Sequence, residues 1–193
     1  MRENSGVDDA TGRFSQGQLW TEEEYLRLPT NRLLEFDRGI VEVLPSPTKS
    51  HQLVTGHIGR ELNAAMAGGG KVLIAPYPFR VSPGKYRVPD VFYLTPEQDA
   101  RADEHFTEAA ELVVEVVSPD DPARDYVTKR QDYAKAGVPE YWIVDTTEQH
   151  VLVLRLDAGV YVEHGRFGPG DRVMSHRFHG LSVAVDDVLV HGK

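Results

Sequence analysis

Residues 111–145 read ELVVEVVSPDDPARDYVTKRQDYAKAGVPEYWIVD, and their pattern decides the fold. Leu112 to Val117, LVVEVV, is a β-branched run broken by a single glutamate, Glu115. Such a run without polar alternation is the mark of a strand buried on both faces. Asp121 then offers an N-cap with Pro122 at the first helical position, and the helix runs to Lys135-Ala136 before Gly137 stops it. Tyr141 to Val144, YWIV, is a second buried strand. A long helix crossing between two such strands makes a mixed α/β sheet.

Upstream, Val72 to Ala75, Phe79 to Val81 and Val88 to Leu94 are strand candidates. Before them, Leu53, Val54, Ile58, Leu62, Ala65 and Met66 recur at helical spacing within Ser50 to Ala67, and Gly68-Gly69-Gly70 ends that helix. Leu33 to Leu44 alternates on either side of Arg38-Gly39, which predicts a hairpin closed by Pro45-Ser46-Pro47. Thr21-Glu22-Glu23-Glu24 is a capping-type start to a short helix that ends before Pro29. Downstream, Val151 to Leu156, Val160 to His164 and Arg172 to Met174 form a meander.

With 193 residues, 40% of them hydrophobic, residues 19–193 are expected to form one domain behind a flexible leader, residues 1–18. That leader is polar and lacks the apolar stretch of a signal peptide, and no run approaches the roughly 18 apolar residues needed to cross a bilayer. No cysteine is present, which removes disulfides, thiolate metal sites and cysteine nucleophiles. A cytoplasmic protein without a membrane partner is the expectation. The net charge of -9 weighs mildly against nucleic-acid binding, since Lys and Arg supply most affinity for phosphates. It does not settle the matter, because a metal-dependent nuclease gathers carboxylates whose local sign the bound cations reverse.

Glu115 stands among five aliphatic side chains, where an ionised carboxylate costs several kcal/mol unless it is paired or bound to metal. It is either a site residue, a strand-end glutamate facing solvent, or the partner of a core arginine. Asp90 follows Pro89 at the mouth of an apolar strand, and a Pro-Asp pair there could be turn chemistry alone. Together, a Pro-Asp and a core-strand Glu 25 residues later form the acidic pair of the PD-(D/E)xK nucleases. Two carboxylates on neighbouring strands can chelate Mg²⁺, which prefers hard oxygen ligands and keeps several waters. That motif wants a lysine two residues after the glutamate, and here the position is Val117. Lys129 on the following helix is a replacement, with Asp125 four residues before it. From spacing alone, the favoured reading of Asp125 and Lys129 is an exposed i,i+4 ion pair worth a few tenths of a kcal/mol.

The stretches EFDRGIVEVLPSP, RVPDVFYL and residues 111–145 closely resemble the Uma-two family, a restriction-endonuclease-like nuclease family. The resemblance runs from Leu19 to Leu156, continues more weakly to the C-terminus, and is most specific over Glu111 to Asp145. It implies a restriction-endonuclease-like mixed β-sheet core flanked by helices, with extra antiparallel strands. For the site it implies Glu35 as the first acidic residue, Asp90 as the Pro-Asp aspartate, Glu115 as the core-strand glutamate and Lys129 as the displaced motif lysine. His51, Asp125 and Tyr133 fall on supporting positions, and Tyr141 and Trp142 also match. One residue departs from the pattern: the family usually has an acidic residue after the hairpin glycine, where this chain has Ile40, with Glu42 two residues on.

The function implied by the resemblance is an Mg²⁺- or Mn²⁺-dependent endonuclease acting on DNA, with Asp90, Glu115 and Glu35 as metal ligands. Lys129 would position or deprotonate water, or stabilise the pentacovalent phosphate, and neighbouring carboxylates would keep it protonated. A homodimer is expected, because cutting both strands needs two sites. The rival readings are a catalytically degenerate relative that binds nucleic acid or a protein partner, and a nuclease of RNA or branched DNA. Other signals are weaker. The eight histidines show no HExxH or comparable metal spacing, and the triple glycine lacks a P-loop lysine. Lys71, Arg80, Lys85 and Arg87 form a basic cluster read as a solvated hairpin.

Overall fold

Alternation along one strand sorts the whole core. Leu112, Val114 and Val116 point into one apolar layer, and Val113 and Val117 into another on the opposite face. The computed structural model that displays this describes residues 18–29, 32–66 and 69–192. The expected leader up to residue 17 and the glycine stop at Gly68 lie outside them.

In chain order, α1 (Glu22–Leu26) precedes the hairpin β1 (Leu34–Asp37) and β2 (Ile40–Val43), and α2 (Lys49–Ala65) comes after it. Next come β3 (Lys71–Ile74), β4 (Phe79–Ser82), β5 (Lys85–Arg87), β6 (Val91–Leu94), the short α3 (Pro96–Asp99) and β7 (Leu112–Val116). A crossover helix is π-wound over Arg124–Lys129 and continues as α4 (Arg130–Lys135). The chain ends with β8 (Glu140–Asp145), β9 (His150–Asp157), β10 (Val160–Phe167), β11 (Arg172–Met174), β12 (Ser182–Ala184) and α5 (Val185–Leu189).

A six-stranded sheet in the order β10-β9-β8-β7-β6-β3 forms the centre. Its β7 and β8 run parallel, with Glu115 opposite Ile143, and the other neighbours are antiparallel. The crossover helix is what a parallel pair requires, since no tight turn can join two such strands. It is the mixed α/β sheet expected from residues 111–145. One face packs on α2 and α5 through Val54, Ile58, Leu62, Trp142 and Val188. The other packs under the crossover helix through Phe92, Val113, Tyr133, Tyr141 and Ile143. Among the described residues no helix is long and apolar enough to cross a membrane.

A second sheet, β2-β1-β5-β4, stands beside the first and carries its own small core of Trp20, Tyr25, Leu34, Phe36 and Tyr86. Its β1–β2 turn has Arg38 at φ 48° and Gly39 at φ 92°, the two left-handed residues of a type I′ hairpin. Strand β5 pairs with both β1 and β4 and is not foreseen from the sequence, because three residues, KYR, carry no usable periodicity. The strand expected from Val88 begins at Val91, which leaves Asp90 in a bend just outside it.

Candidate active site

The register of the sheet makes neighbours of the two acidic residues. Val91 pairs with Val114, so Asp90 and Glu115 come next on adjacent strands at the same end of the sheet. The Glu115 backbone continues into Val116, whose N–H donates to Asp90 Oδ2 at 2.8 Å, and the Asp90 N–H faces Glu115 Oε2 at 3.4 Å. The two strands thus bind each other through the very residues whose side chains carry charge.

Glu115 is only 1% exposed. Its Oε1 accepts a hydrogen bond from the Tyr133 hydroxyl, and its Oε2 lies 2.9 Å from Lys129 Nζ. The ammonium also lies 3.2 Å from Asp125 Oδ1, one turn earlier on the crossover helix. That oxygen is buried without a well-directed hydrogen bond. Lys129 and Asp125 are themselves buried, so they are not the exposed surface pair that spacing alone allowed. The π-wound stretch contains both, and π turns recur at functional sites because they redirect side chains that a regular helix would place elsewhere.

The charges are unbalanced. Burial raises the Glu115 carboxyl well above the ordinary range; Lys129 opposes this, while Asp90 and Asp125 add to it. Burial likewise raises Asp125. For Lys129, burial favours the neutral amine, but Glu115, Asp125, Glu35 and Asp90 together outweigh it and hold the ammonium protonated. One fixed cation thus serves several carboxylates, and the surplus negative charge suits a further cation. Mg²⁺ or Mn²⁺ fits the donor chemistry of Asp90 and Glu115: two hard carboxylates on adjacent strands, with Asp90 reaching the surface. Among the described residues no three His, Asp or Glu side chains are gathered as a ready ligand set, so these two would leave coordination to be completed by water.

His51 lies in the first turn of α2, where its N–H donates to the N-cap Thr48. Its Nε2 lies 3.2 Å from Asp90 Oδ2. Burial lowers its proton affinity, and the hydrogen bond and charge of Asp90 more than reverse that. Tyr133 stacks on Phe79 at 6.0 Å and is held to point its hydroxyl at Glu115.

Glu35 occupies a different setting. Its Oε2 is 2.5 Å from both Arg87 Nη1 and Arg124 Nη2, and its Oε1 accepts the Val88 N–H at 3.3 Å. Both oxygens are therefore committed to protein donors. Burial works to raise its pKa, but Lys129, Arg87 and Arg124 overcome it and keep the carboxyl below the usual range. Arg87 reaches on to Asp132 with Nε at 2.9 Å and Nη2 at 2.7 Å, and Lys85 meets Asp132 at 2.8 Å. Arg87 is 4% exposed, which corrects the solvated-hairpin reading of the basic cluster for Arg87 and Lys85. No sequence signal marked Arg124 or Asp132 or gave Arg87 its carboxylate partners, since each partner lies 45 or more residues away.

Comparison with known proteins bears on the family and the fold. The model of the Uma2 family, described as "putative restriction endonuclease", matches residues 22–186. A crystal structure of a "putative nuclease belonging to DUF820" from Anabaena variabilis superposes with a TM-score of 0.72 at 20% identity, covering 89% of this chain and 98% of that one. At that identity the likeness shows the fold. Among curated proteins none matches.

Proposed function

The chain belongs to the Uma2 family, and from that premise we propose that it is a divalent-metal-dependent nuclease that hydrolyses phosphodiester bonds in DNA. The observation that carries this reading is the Lys129 ammonium, set among the buried carboxylates of Glu115 and Asp125 beside Asp90. Asp90 and Glu115 would hold Mg²⁺ or Mn²⁺, which supplies Lewis acidity and a more acidic bound water. Lys129 keeps its proton and presents it to a non-bridging oxygen of the phosphate, where negative charge grows as water adds and the ester oxygen leaves. Asp125 aims the lysine, Tyr133 fixes the rotamer of Glu115, and His51 orients Asp90. Glu35 acts one step back: bound to Arg87 and Arg124, it ties the second sheet to the crossover helix. A homodimer would bring the two centres that a double-strand cut needs.

A second reading, a nuclease fold that binds nucleic acid without cutting it, is favoured by Ile40 and by the full engagement of Glu35. Incubation of supercoiled DNA, single-stranded DNA and RNA with Mg²⁺ or Mn²⁺, beside EDTA and the Asp90→Asn variant, separates the two. The nuclease cuts only with metal and loses cutting in Asp90→Asn. No cutting of any substrate, with no metal binding by calorimetry, leaves the second reading.

A further inference from the structure

Arg124 is the residue before Asp125, at the start of the π-wound turn, and its guanidinium faces two carboxylates of unlike character. Inward, Nη2 meets Glu35 at 2.5 Å, and that side chain is 1% exposed. Outward, Nη1 and Nη2 form a two-pronged pair with Glu42 Oε1 and Oε2 at 2.6 and 2.9 Å, and Glu42 is 51% exposed. The Arg124 Nε is buried with no hydrogen-bond partner.

Each feature of this arrangement points the same way. The inner carboxylate anchors the guanidinium so that its outer edge is fixed in direction, and fixed orientation is what makes an arginine fork selective. The outer carboxylate presents two oxygens to two parallel N–H groups, the geometry that a phosphodiester also presents. The Glu42 end of this pair is half-exposed and the Glu35 end is buried, so water screens the outer anion more, and it is the more exchangeable of the two. The chain carries a net charge of -9, yet here a cation one residue from Asp125 has its outer edge covered by a half-exposed carboxylate.

We propose that Arg124 binds a backbone phosphate of the substrate strand next to the cleaved one, and that Glu42 occupies that phosphate's place in the free protein. This rests on the nuclease reading above and adds to it a phosphate subsite with a built-in competitor. Such a subsite has two properties that a structural ion pair lacks. Removing the competitor helps binding, whereas removing the arginine hurts it. The salt dependence of binding also changes, because one phosphate contact is lost with Arg124.

The test is the affinity of a fluorescein-labelled DNA duplex for the full-length protein with Ca²⁺, measured by anisotropy at several salt concentrations. Glu42→Gln is expected to bind about threefold to tenfold more tightly than the unaltered protein, and Arg124→Gln about tenfold or more weakly. The log–log salt slope of Arg124→Gln should be shallower by about 1. Arg124→Lys keeps the charge but not the fork and should fall between. Thermal unfolding of each variant identifies one that has failed to fold, and Glu42→Gln, at a half-exposed position, carries the result regardless. Glu42→Gln binding no better than the unaltered protein, while that protein binds and cuts DNA, overturns the subsite and leaves the nuclease standing. If neither the unaltered protein nor Glu42→Gln binds or cuts any nucleic acid, both fall.

Discussion

Two glutamates on the two parallel central strands are buried equally deeply and do opposite things. Glu140 on β8 is 0% exposed, and its Oε1 accepts the Trp142 indole N–H at 2.5 Å. Its Oε2 accepts from Ser175 Oγ at 3.1 Å and from the Arg177 N–H at 2.7 Å. Every partner is a neutral donor, and the bonds clip the C-terminal segment onto the sheet. Glu115 on β7 instead meets an ammonium, a phenol and two further carboxylates. A buried carboxylate is therefore no site by itself. What distinguishes Glu115 is like charge held close by, which costs stability and which a structural clip has no reason to retain.

Substitutions that keep shape and remove charge exploit this difference. The largest effect is expected in Glu115→Gln and Lys129→Ala, each lowering the cleavage rate about 10³-fold or more, read as nicking of supercoiled DNA with Mn²⁺. Glu140→Gln should leave that rate within about threefold of the unaltered protein when measured below its unfolding temperature. The largest loss of stability should come from Arg87→Met, which removes the cation that Glu35 and Asp132 share and leaves each with one, Arg124 and Lys85 respectively. Breaking a buried pair of this kind costs about 3–5 kcal/mol, measured by urea unfolding. Glu140→Gln is intermediate at roughly 1–3 kcal/mol, since both carboxylate oxygens accept and an amide N–H₂ must then face a donor. Glu115→Gln should lose less than Glu140→Gln, because the Tyr133 hydroxyl can turn to accept and the repulsion with Asp90 and Asp125 is relieved.

The smallest effect separates Glu115 from Glu35 by pH. Glu35 has its folded pKa below the ordinary range, so its stabilisation is present above the unfolded value and is lost as pH falls through the folded one. Glu115 is raised, so stability is fullest below the unfolded value and declines as pH climbs toward the folded one. Urea unfolding across acid to neutral pH should therefore lose its acid-side decline in Glu35→Gln and its neutral-side decline in Glu115→Gln. The reverse pattern would contradict the charge assignments.

Much of this was legible in the chain. A β-branched run broken by one residue, a capped helix and a second apolar run determined the parallel pair and its crossover, and Glu115 stood out because it interrupted the first run. Glu140 did not stand out, since a glutamate after a proline at a strand's start looks like a solvated end. The Asp132–Arg87–Glu35–Arg124 chain was invisible because its members come from α4, β5, β1 and the π-wound turn, brought together only by tertiary packing. Likewise, i,i+4 spacing describes Asp125 and Lys129 equally well on a wet or a buried face, and only the strand beneath decides between them.

The most direct measurement sets Glu115→Gln beside Glu140→Gln, with metal-dependent DNA cleavage and thermal unfolding recorded on the same samples. A metal-binding role for Glu115 requires a folded, inactive Glu115→Gln and a less stable, active Glu140→Gln. Cleavage at the unaltered rate by Glu115→Gln, or cleavage lost by both in proportion to their stability, would contradict it.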